Sequence, residues 1–391
     1  MRIAVTHPTC WPEVRRGSER LLHDLAHWLA GRGHAVTVIS TGDGPGGTER
    51  DGEVERLLLP RRHPLPRHVR WWNFFHAFAG QLRDVLHERE FDAVHCLNYH
   101  DAWGASLARR RGARFRLVFQ LTGIPMRRYF RRIPLDGLIF RAALRRSDEV
   151  LALSRFALER LQDQYGRAGT LVPAPTDLRP YAAVGRSAFD KPAGGDPGGS
   201  KPAILFVGDV DEPRKGALLL AQAMRLLHDR GFTASLGYSG RAGDAVRTAI
   251  LAALPEPLRA RVTFHGLGRT EDLPELYAGA TVVVNPAVWE AQGMVLVEAL
   301  AAGTPVVGCR HAGTTDIVAD DRIGRLFDPG TITRAASNAA GLADAIAAAA
   351  ALAGCPATAR LCRERAAAFS WDRLGPLYEA ALCGAVVEAA T

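Results

Sequence analysis

Lysine is nearly missing from this sequence: Lys191, Lys201 and Lys215 are the only three in 391 residues, and the first 180 residues have none. Chemistry that runs through a lysine-bound pyridoxal, as in some sugar phosphorylases, therefore has almost nowhere to sit. No run of 18 or more uncharged apolar residues occurs, so no helix is expected to span a membrane. Only Ile3 to Thr6 follow Arg2 as an apolar stretch, too short for a secretory segment, which makes a cytoplasmic protein the expectation. Six cysteines, at 10, 96, 309, 355, 362 and 383, form no CxxC pair and match no zinc spacing. Scattered in this way, they read as small apolar core residues in a reducing compartment.

What is present is apolar material for two cores. At 391 residues the chain is well beyond one typical domain, and 47% of it is hydrophobic. Its charge is divided unevenly. Residues 1–180 carry 29 arginines against 19 carboxylates, an excess of ten, whereas residues 181–391 carry 20 basic and 22 acidic groups. An acidic partner for the first half, such as an anionic membrane surface, and a merely solvated arginine face both fit that imbalance. Nucleic acid is not an expected partner, because no recognised binding motif accompanies the charge.

Short β-branched runs alternate with longer amphipathic stretches, the pattern of strand–helix units around parallel sheets. In the first half the expected strands are Ile3–Thr6, Ala35–Ser40, Ala93–Cys96, Leu117–Leu121, Val150–Leu153 and Leu171–Val172. Apolar residues at 21, 22, 25, 28 and 29 predict a helix over Ser18–Gly31, closed by Gly31 or Gly33. Residues 183–202, rich in Gly and Pro, read as an interdomain linker. Strands resume at 204–207, Ala234–Leu236, Val262–Phe264, Val282–Val284 and Val306–Val307. The expected domains are thus 1–182 on the acceptor side and 203–370 on the donor side, with a last helix over 371–391 packing back on the first. The fold class is α/β: two doubly wound Rossmann-like domains, with ligands expected at the carboxyl ends of the strands.

The sharpest constellation is Glu290-Ala-Gln-Gly293-Met294-Val295-Leu-Val-Glu298, directly after the apolar strand and Pro286. If Gly293 opens a helix, its first N–H groups can hold phosphate or sugar oxygens, with a carboxylate before the helix and another on it. Gly303-Thr-Pro305 ends that helix and launches the next strand. Upstream, Val207-Gly208 closes a strand, and a short loop brings Arg214-Lys215-Gly216 to the next helix, a reasonable anchor for a diphosphate. In isolation, these charges equally fit solvated loops and helix starts.

Taken together, the residues resemble the family-4 retaining glycosyltransferases with the GT-B fold. The likeness rests on Val207-Gly208…Arg214-Lys215-Gly216, Val262-Thr-Phe264-His-Gly266, Glu290-x7-Glu298, Ala302-Gly303-Thr-Pro305-Val-Val, Ala312-Gly313, Asp316-Ile-Val and Gly324. Gly17-Ser-Glu19-Arg20, Gly31-Arg-Gly33-His-Ala-Val-Thr-Val, Val150–Ser154, Pro173 and Asp177 extend it through the first half.

By position, the resemblance implies that Lys215 and Arg214 bind the donor diphosphate, that Glu298 holds the ribose and that the backbone near Phe264–Gly266 faces the base. Glu290 contacts the donor sugar, Gly293, Met294 and Val295 offer N–H groups, and Gly17 lets the phosphate approach from the other domain. Glu290 and Lys215 are the residues expected to carry catalysis. No metal and no cofactor are expected; the nucleotide-diphosphate sugar is a substrate, with UDP ahead of GDP as its nucleotide.

The sequence departs from the family pattern at Asp209, where Arg is usual after the strand, at Arg16 in place of a first glycine, and at Thr122, where His often precedes Gly123. On the acceptor side the candidates are His95, Asn98, His100, Asp101 and Thr122, the first four following strand 93–96 and expected to face the cleft. Structural histidines are the equal alternative, and a metal pair lacks a third ligand. Ser154 reads as a helix N-cap.

Two basic aromatic segments, Arg61–Phe78 and Met126–Arg146, suit either an anionic membrane surface or packed helices with a solvated arginine face. The implied activity is hexosyl transfer, with retention, to a hydroxyl acceptor: a small natural product, a glycan or a lipid-linked sugar. The alternative is a GT-B protein that binds nucleotide sugars with weak or no turnover.

Overall fold

The computed structural model describes residues 1–63, 73–184 and 202–386. It divides into two compact units, Met1–Pro175 with Trp371–Thr391, and Thr176–Ser370. The chain passes from one unit to the next at 175/176, several residues before the expected boundary, and the last helix belongs to the first unit. Residues 185–201 of the expected linker, with Lys191 and Lys201, and Trp71 and Trp72 of the first basic aromatic segment lie outside the described residues.

The first unit opens with β1 (Arg2–Thr6), α1 (Gly17–Gly31), β2 (Ala35–Gly42), β3 (Gly47–Asp51) and β4 (Val54–Pro60). It continues through α2 (Phe74–Glu88), β5 (Ala93–Cys96), α3 (Tyr99–Arg110), β6 (Arg116–Leu121), α4 (Pro134–Arg146), β7 (Glu149–Ala152), α5 (Arg155–Tyr165) and β8 (Thr170–Leu171). The strand order is β3-β4-β2-β1-β5-β6-β7-β8, parallel throughout except for β3 at the edge. The β3–β4 hairpin was not expected: β3 is almost wholly exposed, so its residues give no apolar signal.

Buried strands read as short continuous apolar runs because both faces of a parallel sheet are covered. On one face Phe78, Leu82, Ala102, Ala105 and Phe140 from α2, α3 and α4 pack on alternate strand residues such as Val94 and Leu117. On the other lies α1, whose Leu21, Leu22, Leu25 and Leu29 are buried at the expected helical spacing. Its Trp28 stacks on Trp371, 6.0 Å between ring centroids.

The second unit runs α6 (Arg179–Val184), β9 (Ala203–Val207), α7 (Ala217–Asp229), β10 (Ser235–Ser239), α8 (Asp244–Ala252), α9 (Glu256–Arg259) and β11 (Val262–Gly266). Next come α10 (Leu273–Ala278), β12 (Val282–Asn285), α11 (Met294–Ala301), β13 (Val306–Cys309), α12 (Thr314–Ile317) and β14 (Gly324–Phe327), then α13 (Ala339–Ala350) and α14 (Pro356–Ala367). The chain closes with α15 (Trp371–Cys383), which rejoins the first unit through Tyr378, whose hydroxyl donates to Val172 O and Pro173 O at 3.4 and 3.3 Å.

The second sheet is wholly parallel, in the order β11-β10-β9-β12-β13-β14. The strand order reverses between β9 and β12, as in any doubly wound sheet, and leaves a crevice at their carboxyl ends. Both loops that carry the donor candidates leave from those two strands. β14, missed as a strand in the sequence, completes the edge beside β13.

All six cysteines are unpaired; Cys10, Cys96, Cys309 and Cys362 are buried, and Cys355 and Cys383 exposed. No helix among the described residues is long and apolar enough to cross a membrane.

Candidate functional site

The loop after β9 makes one short turn, Pro213–Lys215, and enters α7 at Gly216, whose φ is 76°. The loop after β12 lies directly against it. Val288 N donates to Arg214 O at 3.0 Å, and a Cβ on Gly216 would press on Pro286 at 3.0–3.1 Å, so glycine there serves both the left-handed backbone and the close approach. This stitching places the Lys215 ammonium 2.5 Å from Glu290 Oε2. Burial by itself would raise the Glu290 carboxyl, but the charge and hydrogen bond of Lys215, with Arg214 beyond, hold it below the usual carboxylate range.

Gly293, at φ 102°, turns the chain into α11, where neither a side-chain cap nor an acidic first-turn residue competes for the helix mouth. The first N–H groups of α11, those of Met294 and Val295 among them, have no intrahelical partner by the geometry of any helix start. Glu298 is 8% exposed, and the Tyr277 hydroxyl donates to its Oε2 at 2.7 Å. Thr304 in turn donates to Tyr277 O at 2.8 Å, so α10 and the β13 entry position the carboxylate together. Tyr277 was not read as functional from the sequence; it lies in an ordinary short helix, and only the fold reveals its partner.

Asp209 is paired with Arg241 at 2.8 Å, with Asp211 3.5 Å from the same guanidinium. That pairing turns the unexpected anion toward a neighbouring loop and partly neutralises it. The expectation that no Asp-x-Asp spacing lies near the donor residues is corrected by Asp209-Val-Asp211, both of whose carboxylates face Arg241. Arg214, by contrast, is half exposed, with Glu212 4.0 Å away. Phe264 stacks on Tyr238 at 5.4 Å and carries the Arg247 guanidinium over its ring at 5.2 Å. Gly266 follows at the end of β11 with φ 70°, and its carbonyl accepts from Gly240 N at 2.8 Å.

In the first unit, Gly17 is exposed as the first residue of α1, after an extended Arg16 that makes no side-chain cap. Two residues further on lies a carboxylate not singled out for a role: Glu19 is 2% exposed and accepts from Thr9 Oγ1 at 2.7 Å and Ser18 Oγ at 2.8 Å. Ser154 caps α5 through a 3.3 Å hydrogen bond from Ala157 N.

The expectation that His95, Asn98, His100 and Asp101 follow β5 and lie open is corrected for three of them, and His95 is part of β5 itself. His95 is fully buried beside Tyr378, and burial lowers its imidazole to about 3. Asp101 is equally buried, accepts from Thr6 Oγ1 at 3.4 Å, and is pushed well above the carboxylate range by burial. His100 is sandwiched among Phe75, His76 and Tyr99, with Asp136 Oδ1 3.6 Å from its Nε2. The physical reason for His100 and Asp101 is that α3 starts only two residues after β5 and carries them down onto the sheet; His95 is buried as part of the strand, against Tyr378 of α15. Asn98 caps α3 by accepting from His100 N at 2.9 Å, and Thr122 donates to Leu97 O at 3.3 Å; both stay half exposed.

With this geometry in place, the comparisons with known proteins are direct. A family model described as "Glycosyltransferase Family 4" matches residues 15–179, and one described as "Glycosyl transferases group 1" matches 201–351. The chain belongs to the family-4 glycosyltransferases of the GT-B fold. It is 27% identical over 348 residues, 84% of either chain, to a GDP-mannose-dependent alpha-mannosyltransferase of Mycobacterium tuberculosis. Among solved structures, a sucrose-phosphate synthase of Thermosynechococcus elongatus superposes with a TM-score of 0.79 at 22% identity, covering 98% of this chain and all of that one. Anabaena HepE in complex with UDP-glucose superposes at 0.72 and 18%, over 98% of this chain and 100% of that one. The last two establish the fold.

Proposed function

We propose that the chain transfers a hexose from a nucleotide-diphosphate sugar to a hydroxyl acceptor, with retention at the anomeric carbon and without a metal. The observation that carries this reading is the Lys215–Glu290 contact beside the mouth of α11. Lys215 and Arg214 take the diphosphate, the first N–H groups of α11 add the positive end of a helix dipole, and Glu290 orients a sugar hydroxyl. Glu298, held by Tyr277, receives the ribose hydroxyls, and the base lies along Phe264–Gly266.

In this scheme no side chain attacks the sugar. The acceptor hydroxyl enters on the face the diphosphate leaves, a phosphate oxygen takes its proton, and the C–O bond to the diphosphate breaks as the new one forms. The protein's contribution is placement and stabilisation of the departing charge. UDP is favoured as the nucleotide; a UDP-glucose complex of a structural neighbour supports that choice, and the GDP-mannose dependence of the mycobacterial relative makes GDP its rival.

A peripheral membrane contact belongs to the same proposal. Tyr129, Leu135 and Leu138 are 46%, 40% and 62% exposed amid Arg127, Arg128, Arg131, Arg132 and Arg145, a surface suited to anionic lipid. The second reading, a binder with little turnover, is favoured by Asp209 and by Thr122, which is no acid or base near neutral pH.

Incubating the full chain with UDP-glucose, UDP-galactose and GDP-mannose, and following free nucleotide diphosphate, separates the two. Slow release without acceptor, for one donor above the others, supports the enzyme. Saturable binding with no release supports the binder, and neither binding nor release removes the donor site.

A further inference from the structure

We infer that His23, His27 and Asp51 form a binding site for a divalent transition metal such as Zn²⁺, separate from the residues assigned to donor and acceptor. His23 and His27 are four residues apart on α1, so their imidazoles leave the same face of the helix one turn apart. Their rings lie 4.4 Å apart between centroids. The third ligand comes from elsewhere in the chain. Asp51 ends β3, and the tight Gly52-Glu53 turn, with Gly52 at φ 60°, reverses the hairpin beside α1. Asp51 Oδ2 sits 3.3 Å from His27 Nε2 and 3.8 Å from His23 Nδ1, and all three donor atoms fall within 4.8 Å of one another.

These spacings match what an ion requires. Tetrahedral Zn²⁺ with bonds of about 2.0–2.2 Å needs donors roughly 3.3–3.6 Å apart. Both edges to Asp51 are close to that range before any metal has drawn the rings in. The donor set, two neutral imidazoles and one carboxylate, is of the kind that suits Zn²⁺, with a fourth position left for water. Side-chain exposures of 31%, 35% and 40% keep the site open to solvent, so an ion can enter without local unfolding. The nearest cation on α1, Arg20, is bound to Asp24 at 3.0 Å. A second cluster, His76, His100 and Asp136, is wholly buried, and its carboxylate is shared by His76, His100 and the Tyr99 hydroxyl, which leaves an ion no open route. Metal at the first cluster would tie the exposed edge hairpin β3–β4 to α1.

The test uses the full chain stripped with chelator, Zn²⁺ as the probe, and two readouts: competition with a chromophoric chelator, and Tm against free metal, which rises when metal binds the folded state alone. One equivalent is expected to bind and raise Tm. Asp51→Asn should weaken it roughly tenfold or more, and the double variant His23→Asn/His27→Asn should abolish it. Absence of stoichiometric binding by the parent chain overturns the inference. So does unchanged affinity in the double variant, which would move the ion elsewhere. If the double variant does not fold, unchanged affinity in Asp51→Asn has the same force.

Discussion

The carboxyl ends of the two sheets hold similar polar residues and treat them oppositely. After β9 and β12 the loops are long enough to turn, and the glycine at 216 lets them lie against one another while Gly293 turns the second into α11, so Lys215 and Glu290 meet while partly exposed. After β5 the helix begins almost at once and draws His100 and Asp101 into the packing between sheet and helix, while His95, inside β5, is buried against Tyr378. Two doubly wound sheets thus present the proposed donor site in one place and a polar core in the other. Loop length and the glycines decide which.

The largest effect should come from Lys215→Ala. It removes the cation from the proposed diphosphate site, and kcat/KM for the donor should fall roughly 100- to 1,000-fold, about 3–4 kcal/mol, with the circular-dichroism spectrum unchanged. Glu298→Ala should weaken donor binding in titration calorimetry by tenfold or more, on the order of 1.5–3 kcal/mol for a charged hydrogen-bond partner. Tyr277→Phe sharpens the point: it leaves the carboxylate but frees it from its 2.7 Å donor, and should raise KM for the donor several-fold while kcat changes little.

The first unit's residues should move stability instead. Burial raises the Asp101 carboxyl, so its contribution to folding is complete below its ordinary 3.8 and is lost as pH rises through the raised value. Asp101→Asn should abolish that alkaline-side loss, visible as a Tm that no longer falls as pH rises above the ordinary carboxylate range. His95 acts with the opposite sign. Lowered from 6.5 to about 3, it contributes stability above pH 6.5 that is lost as pH falls toward 3, and His95→Leu should flatten that acid limb. The smallest effect is expected on the surface. Exchanging Arg127, Arg128, Arg131 and Arg132 for Gln should reduce sedimentation with anionic vesicles at low salt and leave soluble-donor hydrolysis untouched.

Much of this division was legible in the residues. Periodicity placed α1 within a residue of its observed start and placed both strands that launch the donor loops, because buried parallel strands and one-sided helices leave strong apolar patterns. The β3–β4 hairpin was not legible, since exposed Gly47–Asp51 carries polar residues on both faces. Within the site, motif spacing selected Lys215, Glu290, Gly293 and Glu298, which one pair of loops and one helix then bring into a single region. Tyr277 and Arg241 escaped notice because each acts through a partner distant in sequence: Glu298, 21 residues on, and Asp209, 32 residues back. The burial of His100 and Asp101 was hidden for a related reason. A polar residue at a strand end reads alike whether the next helix swings away or settles on it.

Calorimetric titration of UDP and GDP into the unmodified chain and into Lys215→Ala tests the central claim most directly. The account requires saturable binding of one nucleotide diphosphate to the parent, weakened at least about 30-fold by the substitution. Equal affinity in the two proteins would contradict it.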